Sequence, residues 1–222
     1  MITAEKLTKR FRSITALNGV TVKIPKGTNL IVGPNGGGKS TFLKIAAGVY
    51  RPTSGDIKVF GKNPWSDGAV RKRIGVAFDP PRFPTFVTGR EWLSIFARAR
   101  GKDDVEEVAE ILGIDYLDRR IVSYSSGMLK RLSLAQALVG NPDLVMLDEP
   151  LANLDFSGIR DIIGTIKELR EEKSFLIISH MWEPLLPVVD RVYVIADGRL
   201  VAQGDAGEIE ETLRRLYYGL KG

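Results

Sequence analysis

Three short segments hold side chains whose types and spacing suit phosphate chemistry. The first is Gly33-Pro34-Asn35-Gly36-Gly37-Gly38-Lys39-Ser40-Thr41, which fits the pattern G-x-x-x-x-G-K-[ST]. Glycines let the backbone curl until several N–H groups converge on phosphate oxygens. A helix opening at Lys39 adds the positive potential of its N-terminus. Lys39 reaches outer phosphates as a mobile point charge, and the Ser40 hydroxyl is a hard oxygen suited to Mg²⁺. The second segment, Leu144-Val145-Met146-Leu147-Asp148-Glu149-Pro150, is an apolar run ending in two carboxylates. Ligands of open parallel sheets sit beyond the carboxyl ends of strands. Asp148 is therefore placed to hold Mg²⁺ through water, and Glu149 to take a proton from an attacking water. The third is Tyr124-Ser125-Ser126-Gly127-Met128. Ser125 is a natural N-cap there, and Gly127 leaves room for a ligand to approach the backbone.

The elements that position these residues follow from periodicity and turn signals. Strands are predicted at Ile2–Leu7, Ile14–Ile24, Asn29–Val32, Asp56–Phe60, Ile74–Phe78, Leu144–Leu147, Phe175–Ser179, Arg191–Ala196 and Leu200–Gln203. Helices are predicted from Lys39 to Gly48, and over Thr88–Arg100, Asp103–Leu112, Gly127–Leu138 and Gly158–Glu172. A short final helix carries Leu213, Leu216 and Tyr217. Thr88 and Glu91 read as a capping box. Alternating strands and helices on both flanks predict an α/β fold with a parallel sheet, interrupted by a helical insert after the stiff Asp79-Pro80-Pro81-Arg82-Phe83-Pro84 connector.

The chain has 222 residues, long enough for one α/β domain with a modest insert and too short for two catalytic domains. Its 32 Lys and Arg against 27 Asp and Glu give a net charge of +5, which admits an anionic partner without choosing one. No run of five basic residues occurs, so a nucleic-acid tail is not expected. The absence of cysteine excludes a disulfide framework, a thiolate metal site and a Cys nucleophile. His180 is the only histidine, so no histidine cluster binds a metal. No apolar run approaches the length of a spanning helix, and Met1–Phe11 lacks a signal-peptide core. A membrane role would need its spanning part from another chain.

Taken together, these motifs resemble the ATPase subunit of ATP-binding-cassette (ABC) transporters over nearly the whole chain. Gly33–Thr41 is similar to that family's Walker A motif, and Leu144–Glu149 to its Walker B motif with the catalytic glutamate. Ser125, Ser126 and Gly127 fall in its signature motif, more often written L-S-G-G-Q, and Leu151-Ala152-Asn153-Leu154-Asp155 looks like its D-loop. His180 falls at its switch histidine. Phe11, 22 residues before Gly33, falls where the family stacks an aromatic ring on adenine.

The resemblance implies a RecA-like P-loop core with an N-terminal antiparallel β part, covering 1–78 and 138–222, and a helical subdomain over 79–137. It implies ATP hydrolysis with Mg²⁺, with Glu149 and His180 catalytic. Phe11, Gly33, Asn35, Gly36, Gly37, Gly38, Lys39, Ser40 and Thr41 would bind ATP, and Ser40 and Asp148 the metal. Ser125, Ser126 and Gly127 would contact the nucleotide of a second subunit in a head-to-tail dimer, with Asp155 at the interface. That second subunit is another copy or a paralogue. The remaining partner implied is an integral membrane subunit, and the location the cytoplasmic face of the membrane; no nucleic-acid partner is implied. The S-S-G-M form and compact length look like export-type subunits. The alternative is an ABC ATPase without a membrane partner, as in iron–sulfur assembly. Nucleic-acid-associated members carry tandem cassettes or long inserts, whereas only 86 positions separate Lys39 from Ser125.

Two departures from the family pattern bear on chemistry. Asp79 stands where the family's Q-loop glutamine meets the metal and the attacking water. A third carboxylate there is expected either to join the metal or to point away, and to repel Glu149 if it faces the site. Beside it, Phe83, Pro84, Phe86 and Val87 form an apolar stretch that either fills the insert's core or lines a groove for a helix of the membrane subunit.

Overall fold

The computed structural model describes residues 1–218. Two sheets divide the strands. β1 (Ile2–Phe11), β2 (Ile14–Ile24) and β4 (Ser54–Val59) form an antiparallel sheet in the order β2-β1-β4. β3 (Thr28–Val32), β5 (Ile74–Ala77), β6 (Leu144–Asp148), β7 (Ser174–Ile178), β8 (Arg191–Ala196) and β9 (Arg199–Asp205) form the second, in the order β5-β6-β7-β3-β8-β9. All its pairings are parallel except the β8–β9 hairpin.

Every residue of β3, β6 and β7 is buried, as expected for parallel strands covered on both faces. Side-chain alternation then sorts them into two cores. Ile31, Leu144, Met146, Leu176 and Ile178 face α1 (Lys39–Ala46), whose Phe42, Leu43 and Ile45 join the antiparallel sheet's Ile2, Leu7 and Val20. Leu30, Val32, Val145, Leu147, Phe175 and Ile177 face the other way. There they meet Leu93 and Ala97 of α3 (Gly89–Ala99), Val105 and Val108 of α4 (Val105–Ile111), and Leu132 and Leu134 of α5 (Ser126–Leu138). Ile162 and Ile166 of α6 (Phe156–Leu169) and Leu213 of α7 (Ala206–Tyr218) close the same core.

The predicted elements are present, with ends moved by a few residues. β1 runs on to Phe11, because its pairing with β2 continues to Phe11–Ile14. α6 starts at Phe156, two residues before the predicted Gly158, because Asp155 caps it. The short α2 (Gly68–Lys72), capped by Asp67, has too few turns to show a period and was not predicted. The Thr88–Glu91 capping box is formed in both directions. The side chain of Leu216 lies outside the described residues.

Candidate active site

The phosphate loop joins β3 to α1 and is built on glycine. Gly33 has φ 142°, and a Cβ there would lie 1.9 Å from the Ile195 carbonyl. Gly38, the N-cap of α1, has φ 104°, and its Cβ would lie 2.3 Å from the Ala16 carbonyl. The loop is thus wedged between β8 and β2, where only glycine fits. Lys39 is buried and donates to the carbonyls of Gly33 (2.8 Å) and Pro34 (2.9 Å), so its ammonium lies within the loop. Burial lowers its pKa, against the opposing pull of Glu149 and Asp148. Asn35 and Gly36 lie exposed on the loop's outer turn, Gly37 is buried, and Thr41 sits in the first turn of α1.

Alternation along β6 explains the next contact. Leu144 and Met146 face α1, so Asp148 does too, and Ser40 on that helix donates to its Oδ1 at 2.9 Å. Asp148 is only 3% exposed. Burial raises its pKa; Ser40's hydrogen bond and the charge of Lys44 oppose the shift, while Glu149 and Asp79 add to it. A hydroxyl and a carboxylate side by side are a hard-oxygen pair that would suit Mg²⁺.

Glu149 leaves the strand with φ 48°, a left-handed conformation uncommon outside glycine. Its N–H donates to the Ile178 carbonyl at 2.8 Å, which ties it to the end of β7. Two residues on, the His180 N–H donates to Glu149 Oε2 at 3.1 Å, and His180 Nδ1 lies 2.8 Å from the same oxygen. The sequence-predicted pair is therefore in contact.

At the other helix start, Ser125 caps α5 by accepting from the Met128 N–H at 3.3 Å. Ser125 and Ser126 are exposed, and a Cβ on Gly127 would meet nothing within 4 Å. Asp155 caps α6 by accepting from the Gly158 N–H at 2.8 Å. Ser125, Gly127 and Asp155 share the wall of one open cleft of about 250 Å³. Phe11 is 38% exposed and sets its ring edge-on to Tyr50, 5.4 Å between centroids, with the Lys9 ammonium 4.9 Å from its centre.

Asp79 is not an unopposed third carboxylate. Lys130 of α5 donates to its Oδ1 at 2.8 Å and to the Glu149 carbonyl at 2.6 Å. The repulsion expected from Asp79 is thus offset by a cation that sequence reasoning did not single out. The signal was present: Lys130 lies on the same stripe of α5 as Leu134 and Ala137, and a charge on a buried stripe calls for a partner. Tyr217 was likewise read only as part of a final helix. Its hydroxyl accepts from the Gly33 N–H at 2.7 Å, and its ring packs against Trp182, two residues after His180. In the apolar stretch, Phe83 and Val87 pack on the core, as the core-filling expectation has it, whereas Phe86 is 78% exposed.

Comparison with known proteins identifies the family and the fold. The ABC transporter family profile matches residues 17–152. The bacitracin transport ATP-binding protein of Enterococcus faecalis is 32% identical over 97% of this chain and 72% of its own length. The daunorubicin/doxorubicin resistance ATP-binding protein of Streptomyces peucetius is 32% identical over 93% of this chain and 66% of its own length. The fold matches the dimeric structure of a bacterial ABC transporter cassette with a TM-score of 0.86 and 23% identity, over 93% of this chain and 99% of that one. The chain belongs to the ABC transporter family. It is an ATP-binding ATPase subunit of that family, with its α/β P-loop core. Among the described residues, no helix is long and apolar enough to cross a membrane.

Proposed function

We propose that this subunit hydrolyses Mg²⁺-ATP to drive export through a separate membrane protein, working as a head-to-tail dimer on the cytoplasmic face. The observation that carries the hydrolytic part is the Glu149–His180 contact beside the Ser40–Asp148 pair. Both hydrogen bonds to the Glu149 carboxylate fall on Oε2. Oε1 is the oxygen that takes the proton from an attacking water, while His180 holds the carboxylate in place. Lys39 and the loop N–H groups hold the phosphates, Ser40 and Asp148 hold the metal, and Phe11 offers a face to the adenine. Bound Mg²⁺ supplies charge neutralisation at the phosphates.

The dimer follows from counting. Beside the phosphate loop at Gly38, a second helix start at Gly127 is read as phosphate-binding, but there is one Lys39 and one Asp148–Glu149 pair. On this reading the exposed Ser125 and Ser126, with half-buried Gly127, serve the partner's nucleotide, with Asp155 beside them. The helical subdomain over 79–137 meets the membrane protein. A cleft of about 440 Å³ lined by Tyr50, Phe78, Pro81, Phe83 and Gln136 supports that docking site. Export is supported by the relatives' names, which refer to bacitracin transport and to daunorubicin/doxorubicin resistance.

Glu149→Gln tests the reading. The amide holds the shape but accepts no proton, so hydrolysis should fall by about 10²–10⁴ while ATP binding persists. Mg²⁺-ATP should then trap a dimer, visible by light scattering. A near-normal rate, or a monomer at every ATP concentration, would sink the assignment.

A further inference from the structure

A left-handed conformation at a non-glycine residue persists only where its surroundings over-determine it. At Glu149 the N–H is held by the Ile178 carbonyl and the carboxylate by His180. The carbonyl accepts from the Ala152 N–H at 3.2 Å and from Lys130 Nζ at 2.6 Å. Lys130 therefore grips the peptide that sets the direction of the Glu149 side chain. Its ammonium is nearly buried, and Asp79, with its side chain 28% exposed, is its counter-ion at 2.8 Å. The same pair joins the segment after β5, α5, and the end of β6.

We propose that Lys130, neutralised and oriented by Asp79, is a positioning residue that holds Glu149 in its proton-accepting conformation. The proposal rests on the reading of Glu149 as general base. Asp79 then serves the reaction through Lys130, as the anchor of the cation that aims the base. A neutral residue at 130 loosens the Glu149 carbonyl and lets the carboxylate swing from its alignment, without touching the groups that hold the nucleotide.

The test is steady-state ATPase kinetics and nucleotide binding on the full chain. Lys130→Met keeps length and loses the donor. Misplacing a catalytic group by about 1 Å costs up to about 10²-fold, so kcat should fall by about 10- to 100-fold. KM for ATP should stay within about twofold, because ground-state binding is untouched. Asp79→Asn should lower kcat in the same way. The double variant Asp79→Asn/Lys130→Met should fall no further than Lys130→Met alone, since both act in one chain of contacts. It also leaves no unpaired buried charge, so it supplies the measurement if the single variant fails to fold. Lys130→Gln in the Asp79→Asn background restores an N–H donor and should recover part of the lost kcat, a rescue that general loss of structure would not permit. A wild-type kcat for Lys130→Met, a rise in KM alone, or multiplicative losses in the double variant would overturn the proposal. If Glu149→Gln is inactive while Lys130→Met is normal, this inference fails alone. If Glu149→Gln is active, the underlying reading of the base fails.

Discussion

Replacing Asp148 with Asn should stabilise the nucleotide-free protein and destroy its function, and the two effects share one cause. Asp148 is 3% exposed, and burial holds its carboxyl above the usual range. The Ser40 hydrogen bond and Lys44 offset part of the shift, while the charges of Glu149 and Asp79 reinforce it. A carboxyl whose pKa rises on folding favours the protonated form. Its favourable contribution is thus complete below the unfolded value of about 3.9 and is lost as pH climbs through the folded value. At neutral pH the wild-type protein carries a buried charge at a cost. Asn keeps the shape and keeps an oxygen to accept from Ser40, but carries no charge. A gain of about 1 kcal/mol is in the range for relieving a functional site. For a chain of this length that is a rise of about 2–4 °C in Tm at pH 7. The gap should narrow toward zero as the buffer is taken to pH 4. Saturating Mg²⁺-ATP should reverse the order. Nucleotide at 100 times Kd adds about 2.7 kcal/mol to the wild type, whereas the variant, on the proposed reading of Asp148 as a metal ligand, gains less. Circular-dichroism melts at both pH values, with and without Mg²⁺-ATP, test this. A nucleotide-free variant that melts below the wild type at pH 7 refutes the argument that Asp148 is held at a cost.

Three further substitutions probe separate parts of the site. Gly38→Ala would put a Cβ 2.3 Å from the Ala16 carbonyl at φ 104°, so the loop must shift; calorimetry with a non-hydrolysable ATP analogue should show binding lost, and unchanged affinity would contradict the glycine argument. Ser125→Arg should abolish hydrolysis yet leave nucleotide binding by the monomer intact, because the proposed binding residues Lys39 and Phe11 belong to the same chain's nucleotide site and not to the partner-facing one; loss of binding would contradict the head-to-tail arrangement. Tyr217→Phe removes the acceptor of the buried Gly33 N–H. An unmet buried donor costs about 1–3 kcal/mol, so the urea midpoint should fall, and an unchanged midpoint would mean the contact contributes nothing.

Local signals were enough to place the motifs on their elements. The phosphate loop is contiguous, so nine residues announce it. Its glycines and the strand before it are legible together, because a curled backbone needs both. Ser125 and Thr88 cap helices through partners only three residues away. Alternation along Leu144–Leu147 determined which side of the strand Asp148 takes. What periodicity does not carry is which distant side chain answers a charge. Ser40 and Asp148 are 108 positions apart, Glu149 and His180 are 31, and Gly33 and Tyr217 are 184. Asp79 is the sharpest case. From the sequence alone it is a third carboxylate near two others, and the expected effect is repulsion. The fold lays α5 across the end of β6 and brings Lys130 from 51 positions away to within 2.8 Å, which offsets that charge locally. Composition and spacing determined what each residue is able to do; the packing of two cores on one mostly parallel sheet decided which of them meet.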